Sequence, residues 1–250
     1  MGYLERDGGF LCPEACVRAQ LAVARRLGAT IHTQERATHF AAASRGVTVT
    51  TDRGSYGADK LIVAAGPWLP GLIDARLARH FKVYRQVMFW FEVESPVDAF
   101  LPASLPVFIW ELKGRKHGIY GLPAVAGPGG GVKIATEQFD GTTGPDAPVQ
   151  PVSDEEKRLM YEGYVAPYFS GISGRCVKAL TCLYTVTPDF AFVIDVHPDS
   201  ERVILASPCS GHGFKHSPAV GEALSELVVD GATRLDLGAF SMHRLLLRGS

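Results

Sequence analysis

The spacing of apolar residues along this chain changes from segment to segment, and each change marks a different kind of element. From Pro13 to Leu27 the small and apolar residues Cys16, Ala19, Leu21, Val23, Ala24 and Leu27 recur at helical spacing, and Gly28 stops the run. Short runs of β type follow: Thr30–Thr33, Thr38–Phe40 and the alternating Val47-Thr48-Val49-Thr50, with Arg53-Gly54 as a turn. Leu61–Ala65 is continuous rather than alternating. Bounded by polar residues and Gly66-Pro67, it predicts a strand buried on both faces, as in a parallel sheet. Helix, meander, buried strand and glycine turn is the order of one half of a nucleotide-binding α/β domain.

Between Val83 and Phe139 the pattern becomes a series of alternating strands: Val87–Val93, Val107–Trp110, Gly118–Leu122 and Val132–Ala135, which predict an antiparallel sheet. Residues 139–151, rich in Gly, Thr, Asp and Pro, read as a loop. Ser153-Asp154-Glu155-Glu156 opens a helix with a capping box and runs towards Tyr164. Val177–Thr185 and Val203–Ala206 predict strands, and a last helix starts near Ser217-Pro218 and ends at about Val229, before Gly231. No repeat or low-complexity tract interrupts this order.

Composition excludes some classes. With 25 basic against 26 acidic residues the net charge is −1, and no basic stripe invites nucleic acid. No stretch approaches the length of a membrane helix, and the opening MGYLERDGGF lacks the apolar run of a signal peptide. Met1-Gly2 opens like a myristoylation start, but Arg6 stands where Ser or Thr is expected. Five cysteines (Cys12, Cys16, Cys176, Cys182 and Cys209) in a long chain argue against a disulfide framework, and the cytoplasm is the expected compartment. Arg248-Gly249-Ser250 carry no part of the reading.

Four stretches carry candidate chemistry, each with a plainer alternative. Asp59–Trp68 is a buried strand followed by a small-residue turn that lets a ligand approach backbone closely; a packing turn would leave the same trace. Ser207–Pro218 joins a strand to a helix through Gly211-His212-Gly213. Free N–H groups at the helix start, with Lys215, suit a negative group, although an ordinary connection has the same composition. His212, His216 and Cys209 have no partner cluster at zinc spacing, so no metal is expected. Cys182 in Ala179–Asp189 has the sequence context of a small buried hydrophobe. Lys133, in Gly130–Glu137, sits among apolar neighbours at a solvated edge or, if buried, as a charge device.

Taken in order, these stretches resemble the monomeric sarcosine oxidase/N-methyltryptophan oxidase family of flavoproteins. Tyr84-Arg85-Gln86-Val87, Cys182-Leu183-Tyr184-Thr185, Thr187-Pro188-Asp189 and Ser210–Lys215 are the most specific matches, and the similarity runs from Gly9 to about Arg244. The resemblance implies FAD as cofactor, oxidation of the C–N bond of a secondary amino acid such as sarcosine, and transfer of electrons to oxygen to give hydrogen peroxide. By position it implies that Cys182 is the covalent tether to the flavin. Gly211, His212, Gly213, Phe214 and Lys215 correspond to the loop along the flavin ring, with Lys215 also holding the substrate carboxylate. Tyr120 and Tyr184 correspond to the aromatic pair of the substrate pocket, and Lys133 to the lysine that activates oxygen. Ala65, Gly66 and Trp68 lie in the strand and turn that pass close to FAD.

The expected fold is therefore α+β. An incomplete α/β FAD-binding layer from residues 1–82 and 177–250 accompanies an antiparallel substrate-binding sheet from 83–176. Two departures from the family pattern stand out. Glu137 occupies the place of a substrate-site histidine, and no strand–Gly-x-Gly-x-x-Gly–helix unit for the pyrophosphate occurs in the sequence, nor does the arginine that would pair with a substrate carboxylate. The expected partners are a small N-substituted amino acid and oxygen, and an exposed sheet edge invites a homo-oligomer. The missing Gly-rich segment supports the alternative of a truncated, non-catalytic relative that acts as a binding or complementing subunit.

Overall fold

The computed structural model describes residues 2–247; Met1 and the Arg248–Ser250 terminus lie outside the described residues. The chain divides into two compact units, one of residues 1–11 and 84–183 and the other of residues 12–83 and 184–250.

The first unit is built on a five-stranded sheet. Its strands are β5 (Lys82–Val93), β6 (Phe108–Trp110), β7 (Ile119–Leu122), β8 (Val132–Ala135) and β9 (Ile172–Val186), in spatial order β6-β7-β8-β5-β9. β5 shows why the sheet has two unlike faces. Val87, Phe89, Phe91 and Val93 are buried, whereas Met88, Trp90 and Glu92 between them are only half-buried. The buried set packs with Ile119, Val132, Ile134, Met160, Val165 and Phe169 into one core. Helix α4 (Asp154–Met160) covers that face, and it begins as the sequence predicts: Ser153 Oγ accepts from the Glu156 N–H while Glu156 accepts from the Ser153 N–H. A π-helical turn, Tyr161–Val165, follows it.

The second unit holds two three-stranded sheets. β1 (Ala37–Ala43), β2 (Gly46–Thr51) and β3 (Ser55–Ala58) form an antiparallel meander. β4 (Leu61–Val63) lies parallel to β11 (Ser200–Ser207), which pairs antiparallel with β10 (Val193–His197). Both faces of this second sheet are covered, which is what the unbroken apolar run at β4 demands. Val63, Val193, Val203 and Leu205 pack with Val47, Leu69, Leu77 and Met242, bringing in the short helices α2 (Leu69–Leu72), α3 (Ala75–Ala78) and α6 (His243–Leu247). Ile194, Ile204 and Ala206 face the other way, onto Leu224 of α5 (Ser217–Val229). Lys60 Nζ donates to the carbonyls of Val228 (2.7 Å) and Leu227 (3.4 Å), closing the C-terminal end of α5.

Helix α1 (Pro13–Arg26) forms where the spacing predicts it, yet none of its residues is buried and Val17, Leu21 and Val23 are exposed. The expected strand at Thr30–Thr33 does not form. His32 instead engages Tyr56 and Glu35 through its side chain, and no ladder partner lies beside this segment among the described residues. Strands β3 and β10 go beyond the sequence expectation. No helix of the described residues is long and apolar enough to cross a membrane.

A mostly buried ion pair fastens the end of the second unit. Arg244 Nε and an Nη donate to the two Asp189 carboxylate oxygens at 2.9 and 3.2 Å, with side-chain exposures of only 17% and 14%. Burial alone raises the Asp189 pKa, but the bonds from Arg244 and the Ala191 N–H outweigh it and bring the carboxyl down to about 2. The stabilisation is therefore complete above the unfolded pKa near 4 and is lost as pH falls towards 2. Arg244→Met is expected to cost about 2 kcal/mol at neutral pH, read as a lower denaturant midpoint at unchanged slope, with the difference from the parent chain shrinking in acid.

Candidate active site residues on two units

In the first unit the half-exposed face of the sheet gathers several of the sequence candidates. Trp90 on β5 is the direct cross-strand partner of Lys133 on β8, and Tyr120 on β7 pairs with Ala135 two residues along. Lys133 Nζ lies 5.6 Å from the Trp90 ring centre and 5.8 Å from that of Tyr120. Neither a solvated edge nor full burial describes it: Lys133 is half-buried on an interior strand, with an aromatic ring on each neighbouring strand. Cys182, also half-buried, lies within electrostatic reach. Burial pushes its thiol pKa up and the Lys133 charge pulls it back, the former prevailing. Glu137, beyond the end of β8, is exposed.

Two residues on this face escape sequence reasoning: Trp90, and Lys178 on β9, whose Nζ lies 4.7 Å from the same indole centre. Their meeting depends on strand register, which a local pattern does not encode.

In the second unit β4 and β11 run parallel with Val63 opposite Leu205, so their carboxyl ends coincide. That end carries Ala65, Gly66 and the exposed Trp68 from one strand and the Ser207–Lys215 loop from the other. Ligands in open α/β sheets bind at such carboxyl ends. The loop is fixed tightly. The Ser210 N–H donates to the Thr185 carbonyl at 2.9 Å, with Ser210 and Gly211 at φ 49° and 87°. A Cβ on Gly211 would stand 2.4 Å from the Tyr184 ring, and one on Gly213 would stand 1.5 Å from the Pro208 carbonyl oxygen.

His212 is held to the protein itself: its ring stacks on Phe192 with centres 4.7 Å apart, and Nε2 lies 3.3 Å from the Phe190 carbonyl oxygen. Phe214 and Lys215 are exposed on a short 3-10 turn leading into α5. Beneath the loop, the Thr185 and Ser207 hydroxyls flank the half-buried Cys209 thiol and pull its pKa down against the larger upward push of burial. Neither hydroxyl has a hydrogen bond of ordinary geometry, although both are buried. Elsewhere, Asp74, His197 and Asp199 cluster, but Arg76 pairs with both carboxylates and the Asp199 N–H donates to His197 Nδ1, so the trio reads as a compensated ion-pair network.

This arrangement has solved counterparts. NikD, an unusual amino acid oxidase essential for nikkomycin biosynthesis, superposes with a TM-score of 0.74 at 22% identity, covering 91% of this chain and 59% of that one. L-proline dehydrogenase from P. horikoshii does so at 0.71 and 19%, covering 95% and 60%. The fold is thus that of amino-acid-oxidising enzymes. Residues 1–227 match the family described as FAD dependent oxidoreductase, and the chain belongs to that family.

Among curated relatives, monomeric sarcosine oxidase of Streptomyces avermitilis is 36% identical over 96% of this chain and 62% of its own length. The monomeric sarcosine oxidase of a Bacillus species is 35% identical over 98% and 62%, and N-methyl-L-tryptophan oxidase of Salmonella heidelberg 29% over 98% and 63%. The chain spans less than two thirds of the length of these relatives.

Gly213→Ala is expected to open the loop locally, at a cost of roughly 1–3 kcal/mol. Amide hydrogen exchange should accelerate over residues 207–216 and stay unchanged in β5 and β8; uniform protection would show that the loop yields without strain.

Proposed function

We propose that this chain carries the substrate-facing part of an FAD-dependent oxidase. It would act on the C–N bond of a secondary, N-methylated amino acid such as sarcosine, with oxygen as electron acceptor and hydrogen peroxide as product. The observation that carries the reading is Lys133, half-buried between two aromatic rings and within electrostatic reach of Cys182. A fixed ammonium in a partly dry site stabilises negative charge that develops next to it, and it favours the thiolate form of the cysteine.

The residues of the second unit fit the cofactor. A glycine strap and a helix start converge on the carboxyl ends of a parallel strand pair. Bound flavin supplies the uptake of a hydride equivalent from the carbon beside the amine. The chain supplies the rest. The Cys182 Sγ would hold the cofactor as its tether, and the Lys133 ammonium would stand beside the position where oxygen takes up electrons. Tyr120 and Tyr184 offer aromatic walls to the substrate. Lys215, beside the first N–H groups of α5, holds a carboxylate. The backbone of Gly211, His212, Gly213 and Phe214, with Ala65, Gly66 and Trp68, would line the cofactor. Glu137 in place of a histidine favours a cationic amine, so larger N-methyl amino acids suit the site as well as sarcosine does.

A second reading, in which the chain works with a complementing polypeptide, is favoured by two exposed features: α1 buries none of its residues, and β4 ends its sheet among the described residues. An absorbance spectrum from about 300 to 550 nm, repeated after acid precipitation, separates the outcomes. Flavin bands that stay with the pellet, and leave it in Cys182→Ser, support the tether; Lys133→Met should then slow reoxidation by oxygen roughly 100-fold. Protein that stays colourless with excess FAD, and releases no peroxide with N-methyl amino acids, overturns the oxidase reading for the chain alone. Colour gained only on adding a Gly-rich nucleotide-binding fragment supports the second.

A further inference from the structure

Trp90 stands on β5 between Lys133 on β8 and Lys178 on β9, since those three strands are neighbours in that order. The two ammonium groups lie 5.6 and 4.7 Å from the centre of one indole. An aromatic face attracts cations, so the ring draws both lysines towards it, while the two charges repel each other. Tyr120 offers Lys133 a second ring at 5.8 Å, and Cys182, on β9 like Lys178, also lies within its electrostatic reach. Lys178 is exposed and forms no ion pair among the described residues, so a carboxylate does not cancel its charge. Trp90 is half-buried although its neighbours Phe89 and Phe91 are in the core.

We propose that Trp90 and Lys178 are positioning residues for Lys133. The indole holds the Lys133 ammonium over the open face of the sheet, and Lys178, drawn to the same ring, weakens that hold. The two residues thereby set opposite biases on one charge. For its functional meaning the inference rests on the oxidase reading, in which Lys133 is the charge that faces oxygen; the arrangement itself is testable without any cofactor.

The test is competitive acylation of amines by trace acetic anhydride on the full chain, read by mass spectrometry, with Lys60 as the internal standard. Only an uncharged amine reacts, so anything that holds the ammonium lowers the rate. Trp90→Leu should raise Lys133 acylation about threefold, and Trp90→Phe, which keeps a ring, should stay close to the parent. Lys178→Met should move the rate the other way, lowering it by a similar factor. A merely structural role predicts no such opposition of sign.

Rates that shift in the same direction in Trp90→Leu and Lys178→Met, or that do not move, overturn the proposal. Far-UV circular dichroism checks the fold, and if Trp90→Leu unfolds, the exposed Lys178→Met substitution decides alone. In flavin-loaded protein the two ideas part. If Lys133→Met slows reoxidation while Trp90→Leu and Lys178→Met leave it unchanged, the inference fails and the oxidase reading stands. If Lys133→Met has no effect on reoxidation, the oxidase reading fails, and the acylation rates still decide how Lys133 is held.

Discussion

A sheet that buries one face and keeps the other accessible imposes alternation on each of its strands, and the first unit is organised by that requirement. In β5, Val87, Phe89, Phe91 and Val93 are committed to the core, so Trp90 has no choice but to stand on the far side. The same parity on β8 sends Ile134 inwards and leaves Lys133 beside Trp90. A shift of β8 by one residue would turn Lys133 into the core and Ile134 out of it, which ties the chemistry of the open face to the hydrophobic core behind it. The candidate site is a by-product of the packing only in the sense that both depend on one register.

The second unit solves a different problem. Its parallel pair is covered on both faces, because two cores press on it from opposite sides, with Leu61 and Ile62 half-buried. What remains accessible is the end of the strands, and there the chain turns sharply through Ala65-Gly66 and through Ser210-Gly211. Tight turns bring backbone rather than side chains to the surface. That end suits a flat, polar ligand, whereas the open sheet face of the first unit suits a charged, aromatic environment.

The readable parts of the sequence were those where one local rule was enough. The capping box at Ser153, the strand within the apolar run Leu61–Ala65, of which Leu61–Val63 forms the strand, and the helix from Ser217 to Val229 each follow from residues close together in the chain. Strand β3 was hidden because all four of its residues are exposed, so no alternation of burial marks it. Strand β10 was hidden by Asp195, a carboxylate inside a strand. Its oxygen accepts from Ser241 Oγ and the Met242 N–H, a tie to a segment far along the chain. Thr30–Thr33 failed in the other direction: β-type residues do not make a strand without a neighbour to pair with. At the candidate site, Lys133 was conspicuous in its apolar context and Cys182 through resemblance, whereas Trp90 and Lys178 became visible only when three strands were laid side by side.

Helix α1 has a consequence for how the chain behaves in water. A 14-residue helix with no buried residue draws little from tertiary packing, and isolated helices of that length are marginal in water. A hydrogen bond of 3.5 Å from Gln20 to Ser217 is a thin tie to the rest of its unit. Its order is therefore conditional: whatever covers Val17 and Leu21, one turn apart, supplies part of the helix's own folding free energy, so recognition at that surface and the winding of that segment are one equilibrium.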